Sequence, residues 1–270
     1  MKNKCIRVAM VVIFAVGLSV PVFGQGLYWE STTSGGPIGE RGEQMWAVPK
    51  KMKVVTKETG ESFIVRLDRE VFITIDPKGK TYSEITFAEM ESMMKQASGK
   101  MDAKMAEMQK QLAQMPEEQR KMVEQMMGIK MGGRGAAQDA KVDVKKTGDK
   151  RAINGFSCTK FVITEDDKDV MTVWATKDVT GFDAMRKDWE EFSKRMMAMN
   201  PMGGKGLGEA FKKVDGFPIQ TEIAQGITTV VTKIERKTAP ASEFEVPSGY
   251  KKVKPKMMED MDKALVEEED

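Results

Sequence analysis

Short apolar runs separated by turn residues predict three β-rich blocks along the chain, at about residues 27–85, 141–177 and 216–250. Turn sequences such as Asp76-Pro77-Lys78-Gly79 and Asn154-Gly155 leave only a few residues between neighbouring runs. Connections this short join neighbouring antiparallel strands as hairpins. We therefore expect the three blocks to pair into a single antiparallel sheet.

Within the first block, the apolar pattern predicts strands at residues 46–55, 62–67, 71–75 and 80–85. The third block is predicted to hold a hairpin of residues 217–224 and 227–236, with its turn at Gln225-Gly226. The acidic run from Asp166 to Asp169 is predicted to be a solvated hairpin loop, since it lacks the glycine and closing glutamate of a calcium-binding loop.

The two gaps between the blocks carry a helical pattern instead. In the first gap, residues 86–130, apolar residues recur every three or four positions and so share one helix face. This stripe consists of Met90, Met94, Ala97, Met101, Met105, Met108, Leu112 and Met115. The second gap, residues 181–213, aligns Phe182, Met185, Trp189, Phe192 and Met196 in the same way. We expect both insertions to form Met-rich amphipathic helices that cover one apolar face of the sheet.

Residues 1–24 have the layout of a secretory signal peptide, with a basic start, an apolar stretch at 8–20 and a cleavage region ending at Gly24. The apolar stretch is shorter than the roughly 20 residues that cross a bilayer. No Leu-x-x-Cys motif precedes the cleavage site. We therefore expect a cleaved signal and a periplasmic or secreted protein that is not an integral membrane protein. The rest is predicted to be one domain, 25–253, followed by an acidic amphipathic tail, 254–270.

Charge and histidine content remove several classes of function. The formal net charge of the whole chain is +2, but three basic residues and no acidic residue lie within 1–24, so the mature chain would carry −1. This balance leaves no electrostatic footprint for nucleic acid. Histidine is absent, which excludes Ser-His-Asp and Cys-His catalysis and histidine-ligated zinc. We expect a non-catalytic protein with no metal and no cofactor.

Methionine is unusually frequent: the chain has 24, and 11 of them lie between Met90 and Met131. Three interpretations stay open. Methionine fills irregular gaps in a core, it forms adaptable apolar surfaces that repack around different ligands, and its thioether sulfur is a soft ligand for Cu(I). The helical spacing is already explained by packing, and the missing histidine weakens the copper interpretation.

Several short motifs resemble the LolA-like superfamily of periplasmic lipoprotein carriers. They are GFPIQTE at 216–222, followed by the strand at 229–234, and FEVPSGY at 244–250. The motifs NGFSCTKF at 154–161 and VWATKD at 173–178 resemble an uncharacterised exported bacterial branch of that group, a domain-of-unknown-function family. The resemblance implies an α+β fold in which a single, strongly curved antiparallel sheet forms an open half-barrel covered by the inserted helices.

Members of this group use the covered cavity for acyl chains or other apolar ligands. The resemblance therefore implies a binding protein for a hydrophobic ligand, such as a lipid, an acyl chain or a lipidated protein. The predicted cavity residues are Met90, Met94, Met101, Met105, Met108, Trp46, Trp174 and Trp189. The alternative is a structural or sensory module that docks an envelope protein partner on the same fold. A Met-based Cu(I) binder is the third hypothesis.

Overall fold

The computed structural model describes residues 22–36, 39–115, 141–198, 205–224 and 226–258. The strands of the first half are β1 (Val22–Ser34), β2 (Arg41–Val48), β3 (Lys51–Thr56), β4 (Ser62–Arg66), β5 (Val71–Asp76) and β6 (Thr81–Thr86). Those of the second half are β7 (Val142–Ile153), β8 (Phe156–Glu165), β9 (Lys168–Thr176), β10 (Phe217–Ile223), β11 (Ile227–Pro240) and β12 (Lys251–Lys252). The helices are α1 (Phe87–Ala113), α2 (Phe182–Ala198), α3 (Lys205–Lys213) and a 3₁₀ turn (Ala241–Phe244).

All twelve strands belong to one sheet, which confirms that the three predicted blocks pair together. Their order is β12-β6-β5-β4-β3-β2-β1-β11-β10-β9-β8-β7. Neighbours are antiparallel except for β12, which runs parallel to β6. Among the described strands, β12 and β7 form the two edges, so the sheet is open. Strand β1 joins its two halves by pairing with β2 on one side and β11 on the other.

A hydrogen bond across the sheet shows that the β7–β8 end is strongly curved. Asn154, at the tip of the β7–β8 hairpin, donates from Nδ2 to the carbonyl oxygen of Val231 in β11 at 2.8 Å. Strands β9 and β10 lie between β8 and β11. In a flat sheet this separation would be roughly 14 Å, since neighbouring strands lie about 4.8 Å apart. A short side chain spans the gap only because the hairpin tip folds back over the sheet.

Two-residue turns connect the strands of this curved end. Asn154 and Gly155 have φ angles of 50° and 84°, and Asp166 and Asp167 have φ angles of 49° and 62°. Positive φ at both central residues is the geometry that matches the right-handed twist of a hairpin, and Asn, Asp and Gly tolerate it best. The predicted Asn-Gly hairpin and the predicted acidic hairpin loop are both confirmed.

The predicted single strand at 46–55 is wrong, because β2 and β3 are two strands that pair with each other. The chain reverses at Pro49 and Lys50, where Lys50 has a φ of 65°. Proline has no N–H to donate to a sheet and fixes its own φ, so it suits a turn between strands. The apolar residues on both sides concealed this turn, which has neither Gly nor Asn.

Helix α1 begins with reciprocal hydrogen bonds between Thr86 and Glu89. The backbone N–H of Glu89 donates to Oγ1 of Thr86 at 3.1 Å, and the N–H of Thr86 donates to Oε2 of Glu89 at 2.8 Å. This capping box satisfies donors that a helix start leaves unpaired. The helix then continues for 27 residues, through Gly99. The remainder of the predicted insertion, 116–130, lies outside the described residues. No helix in the described part of the chain is both long and apolar enough to cross a membrane.

Different segments cover the two faces of strands β3 to β6. On one face, α1 and α2 pack against the sheet in a cluster that we call the helix-side core. It contains Met52, Val65, Phe72, Ile85, Phe87, Met90, Met93 and Phe192. On the opposite face, the segment after β11 packs in a second cluster, which includes Ile64, Ile73 and Phe244. Val65 and its neighbour Ile64 enter different clusters because successive strand residues point to opposite faces.

The half of the sheet that contains β8 to β11 is covered by α2 and α3. Phe182 and Trp189 of α2 meet Phe217 of β10 with ring centroids 5.1 Å and 6.3 Å apart. Ala210 and Val214 pack beside apolar residues of β8 and β9. Thus α2 packs into the cores of both halves of the sheet and connects them across the paired strands β1 and β11.

Arg66 holds the segment after β11 against the sheet. Its side chain is only 3% exposed and donates from Nη1 to the carbonyl oxygen of Phe244 at 3.0 Å and to Oε1 of Glu245 at 2.7 Å. Nε and Nη2 donate to the two carboxylate oxygens of Asp68, each at 2.8 Å. These bonds hold the pKa of Asp68 below its ordinary value of 3.8. Ionised Asp68 therefore stabilises the fold above pH 3.8, and this stabilisation is lost as the pH falls through the lowered pKa that Asp68 has in the folded protein.

We predict that Arg66→Met lowers the free energy of unfolding by about 2–4 kcal/mol, because the buried guanidinium and its hydrogen bonds to Phe244, Glu245 and Asp68 are lost together. The control is Arg69→Met, which removes a pair with the same Glu245 from a side chain that is 53% exposed. This control should cost less than about 1 kcal/mol. Urea unfolding at pH 7 measures the loss of stability in each variant. The same measurement at pH 3 shows how much of the stabilisation by Asp68 is lost on acidification. Equal losses in the two variants would contradict the role assigned to Arg66.

Candidate binding groove

A groove of about 490 Å³ lies where the start of α1 meets α2 and α3. The turns before β3 and before β5 complete its wall. Nine of the residues that line it are charged, and two are apolar. The lining consists of Lys50, Leu67, Glu70, Phe87, Lys187, Asp188, Glu190, Glu191, Lys194, Arg195 and Lys212. We call this site the binding groove.

The apolar part of the groove is formed by Phe87 and Leu67, which also pack on the helix-side core. The backbone N–H of Phe87 donates to the carbonyl oxygen of Glu70 at 2.8 Å, so the turn before β5 is fixed to the first residue of α1. Cζ of Arg195 lies 4.6 Å from the centroid of the Phe87 ring. Arg195 Nε also donates to Oε1 of Glu191, one helical turn earlier, at 2.8 Å. These contacts fix a cation over an aromatic surface.

Some charges of the groove serve the fold. Asp188 of α2 accepts a hydrogen bond from the backbone N–H of Lys50 at 2.8 Å and lies 3.9 Å from its Nζ. This contact ties the β2–β3 turn to α2. Lys212 of α3 has a raised pKa because Glu209 accepts its hydrogen bond, and Glu190 adds to the effect. These contacts join three of the segments that form the groove wall: the β2–β3 turn, α2 and α3.

Lys187 and Lys194 differ from these residues because neither has a charged partner among the described residues. Both are exposed on α2. Their separation of seven residues is two helical turns, so they lie on the same side of the helix. Two exposed ammonium groups beside an apolar surface can pair with carboxylates of a bound molecule without first breaking an existing ion pair.

The structure brings together only part of the predicted cavity residues. Met90 is buried in the helix-side core, and Met94 and Trp189 pack against it. Met108 is half-buried farther along α1. Met101 and Met105 are residues of α1, and their side chains lie outside the described part of the structure. Sequence reasoning missed Met93, which is 8% exposed in the same core; its signal was the i, i+3 spacing from Met90.

Trp46 and Trp174 lie away from these methionines. The Trp46 ring packs against Tyr28, with centroids 4.6 Å apart, and belongs to the face that the segment after β11 covers. Trp174 lies beneath Arg151, whose Cζ is 4.0 Å from the ring centroid. Arg151 in turn lies 3.4 Å from Glu222 of β10. Trp46 is therefore on the face opposite the methionines, whereas Trp174 belongs to a buried cluster against which Trp189 also packs.

None of the predicted cavity residues whose side chains the structure describes lines the binding groove. Sequence reasoning selected apolar residues on helix faces, whereas the groove uses the polar side of α2. The available signal was the run from Lys187 to Arg195, which carries three acidic and three basic residues next to the apolar face of the same helix. Among the described residues, no three Asp, Glu or Cys side chains are arranged to hold a metal ion.

Comparison with known proteins identifies a family. The profile of a family described as a domain of unknown function, DUF4412, matches residues 83–250, from β6 to the end of the segment before β12. The chain belongs to this family. A search of curated proteins returned no significant match. The motifs from the middle of the chain thus do mark a domain-of-unknown-function family, and the LolA-like assignment stays a prediction.

Several solved structures resemble this DUF4412 protein in backbone. An uncharacterized conserved protein from Thermus thermophilus has a TM-score of 0.42 and 9% identity, over 84% of this chain and 90% of that one. PNGF-II has a TM-score of 0.38 and 11% identity, over 88% of this chain and 32% of that one. The Pseudomonas aeruginosa MucA/MucB complex has a TM-score of 0.38 and 8% identity, over 85% of this chain and 58% of that one. The chain spans about a third of PNGF-II and under two thirds of the matched MucA/MucB chain. Similarity at this level does not indicate what the protein binds.

We predict that Met90→Ala lowers the free energy of unfolding by about 2–5 kcal/mol, because it leaves a cavity in the helix-side core. Met115→Ala, just beyond α1, is the control because its residue is 41% exposed, and it should change stability by no more than about 0.5 kcal/mol. Thermal unfolding followed by circular dichroism measures both. If Met90→Ala were as stable as the control, Met90 would not be a core residue.

Proposed function

We propose that this protein is a non-catalytic binding module that holds a polypeptide segment of a partner in the binding groove. The observation that carries the proposal is the lining of the groove, in which nine charged side chains surround the apolar surface of Phe87 and Leu67. Phe87 is itself 7% exposed, so the half-buried Leu67 supplies most of the apolar surface that a partner can reach. An apolar centre with a polar, charged rim is the usual composition of a protein interaction site.

The charges distinguish this proposal from the binding of an acyl chain in the groove. A lipid tail would remove water from the charged lining without supplying hydrogen bonds, and uncompensated desolvation of charge is costly. A polypeptide segment offers carboxylates for Lys187 and Lys194, backbone amides for the acids, and an apolar side chain for the accessible surface of Leu67. Each group in the groove then has a partner.

The expected export of the chain places such a partner in the cell envelope. The LolA-like half-barrel belongs to the same proposal: the open sheet, its curved β7–β8 end, and the packing of α1 and α2 on one face support it. In this interpretation the helices cover the apolar face permanently, and their polar sides form the site. The sheet then acts as the rigid support of the groove.

The test is an array of synthetic peptides of mixed charge, probed with the labelled full-length protein. We expect selected peptides to lose at least about tenfold in affinity on the double change Lys187→Glu and Lys194→Glu, since two attractive pairs become repulsive. The control is Lys78→Glu with Lys145→Glu, two exposed lysines outside the groove. The proposal is wrong if no peptide is selected, or if both variants bind the selected peptides equally well.

Binding of a hydrophobic ligand is the second candidate, because Met93, Met94, Met257 and Met258 gather at the helix-side core. Flexible thioether side chains there could repack around an apolar molecule if α1 moved. An environment-sensitive apolar dye, displaced by a fatty acid, tests this candidate. Under the groove proposal we expect no displaceable dye binding. Displaceable binding that persists after Lys187→Glu with Lys194→Glu would favour the hydrophobic ligand.

A further inference from the structure

Strand β7 forms one edge of the sheet, and β8 is its only neighbour among the described strands. In an antiparallel sheet, alternate residues of a strand direct their backbone N–H and C=O groups to opposite sides. The carbonyl oxygen of Lys141 accepts the N–H of Asp166 at 3.0 Å, so residue 141 bonds towards β8. At the other end, Ile153 pairs with Phe156 across a two-residue turn and also bonds towards β8. The even-numbered residues of β7 therefore direct their backbone groups outwards.

Four exposed charged side chains share one face of this edge strand. They are Asp143, Lys145, Asp149 and Arg151. Odd-numbered residues of a strand point to the same face. The irregularity between Lys146 and Lys150 preserves this alternation, because β7 advances by four residues there while β8 advances by two. Two contacts agree with this placement, since Arg151 lies over the Trp174 ring and Asp149 lies 3.9 Å from Lys160, whose Nζ faces the same ring.

The order of these charges along β7 is self-complementary. If a second β7 runs antiparallel to the first with Thr147 at the two-fold axis, Asp143 lies opposite Arg151. Lys145 then lies opposite Asp149, and the symmetry repeats both pairs. Opposite charges that face each other across two strands stabilise the pairing, whereas like charges destabilise it. Every charged residue of this face meets an opposite charge in this register.

Neighbouring registers are less favourable. A shift by one residue would set the outward backbone groups of one copy against residues of the other that bond towards β8. A shift by two residues in one direction places Asp143 opposite Asp149, and in the other direction it places Lys145 opposite Arg151. Charges and irregularities at a sheet edge generally prevent pairing with other chains. In β7 the same charges favour one specific pairing.

We propose that two copies of this protein associate edge to edge through β7, in the register centred on Thr147. Residues 147–149 form the irregularity, so residues 142–146 of each copy bond with residues 150–152 of the other. The contact is independent of the binding groove and joins two open sheets into one. Two strand edges bury less than the roughly 1,200 Å² at which stable complexes begin, so the dimer is weak.

The contacts that these charges make within one chain do not prevent the pairing. Asp143 lies 3.8 Å from Lys213, and Arg151 lies 3.4 Å from Glu222. Exposed ion pairs of this kind contribute little to stability, so exchanging or sharing them costs little. Lys145 has no charged partner in the part of the chain that the structure describes.

Charge-swapped variants of the full-length protein test the register by analytical ultracentrifugation. We expect the unchanged protein to dimerise at or below about 1 mM. Lys145→Asp sets two acids against each other, and Asp149→Lys sets two lysines against each other. Each variant alone should dimerise at least about tenfold more weakly. An equal mixture of the two variants should form heterodimers as tightly as the unchanged protein, because every charge again faces an opposite one.

Lys78→Asp, at an exposed lysine in the turn before β6, is the control and should dimerise like the unchanged protein. Circular dichroism checks that each variant is folded. A protein that stays monomeric up to about 1 mM would overturn the proposal. So would single variants that dimerise normally, or a mixture that associates no better than its components. Loss of the dimer in Lys187→Glu with Lys194→Glu would assign the association to the groove and reject pairing through β7.

Discussion

An open sheet that is apolar on both faces must be covered on both, and this need determines most of the architecture. The twelve strands supply no cover of their own, so the segments inserted between them have to provide it. Helices α1, α2 and α3 pack on the sheet, and the segment after β11 packs on the face opposite the helix-side core. Arg66 fixes that segment through the carbonyl of Phe244 and the carboxylate of Glu245, while Asp68 holds its guanidinium in place.

Helix α2 connects this covering role with the site. Its apolar side supplies Phe182, Trp189 and Phe192 to the cores of both halves, and its polar side supplies most of the groove. Because the apolar side is fixed by packing, the charged side chains of the groove project from a rigid helix. The site therefore has a defined geometry.

The sequence predicted those parts of the fold that depend on neighbouring residues. Asn154-Gly155 and Asp166-Asp167 have the backbone tolerance that a tight hairpin needs, and the helical spacing from residue 86 onward indicates where α1 begins. The Pro49-Lys50 turn was missed because apolar residues flank it on both sides. The groove was not predictable, since Phe87, Asp188 and Lys50 meet only through tertiary packing. The spacing of apolar residues shows which of them share one face of a strand or helix, but not which segment covers that face. For this reason Trp46 was grouped with methionines that lie on the opposite face of the sheet.

The position of β1 in the sheet has a consequence for how the molecule is assembled. Its pairing with β11 joins residues about 200 positions apart, such as Trp29 with Ile234. Contacts this distant in sequence carry a large loop-closure cost and slow the search for the native state. During synthesis the two halves of the sheet cannot join until β11 has left the ribosome. The central pairing of the sheet thus forms only near the end of translation.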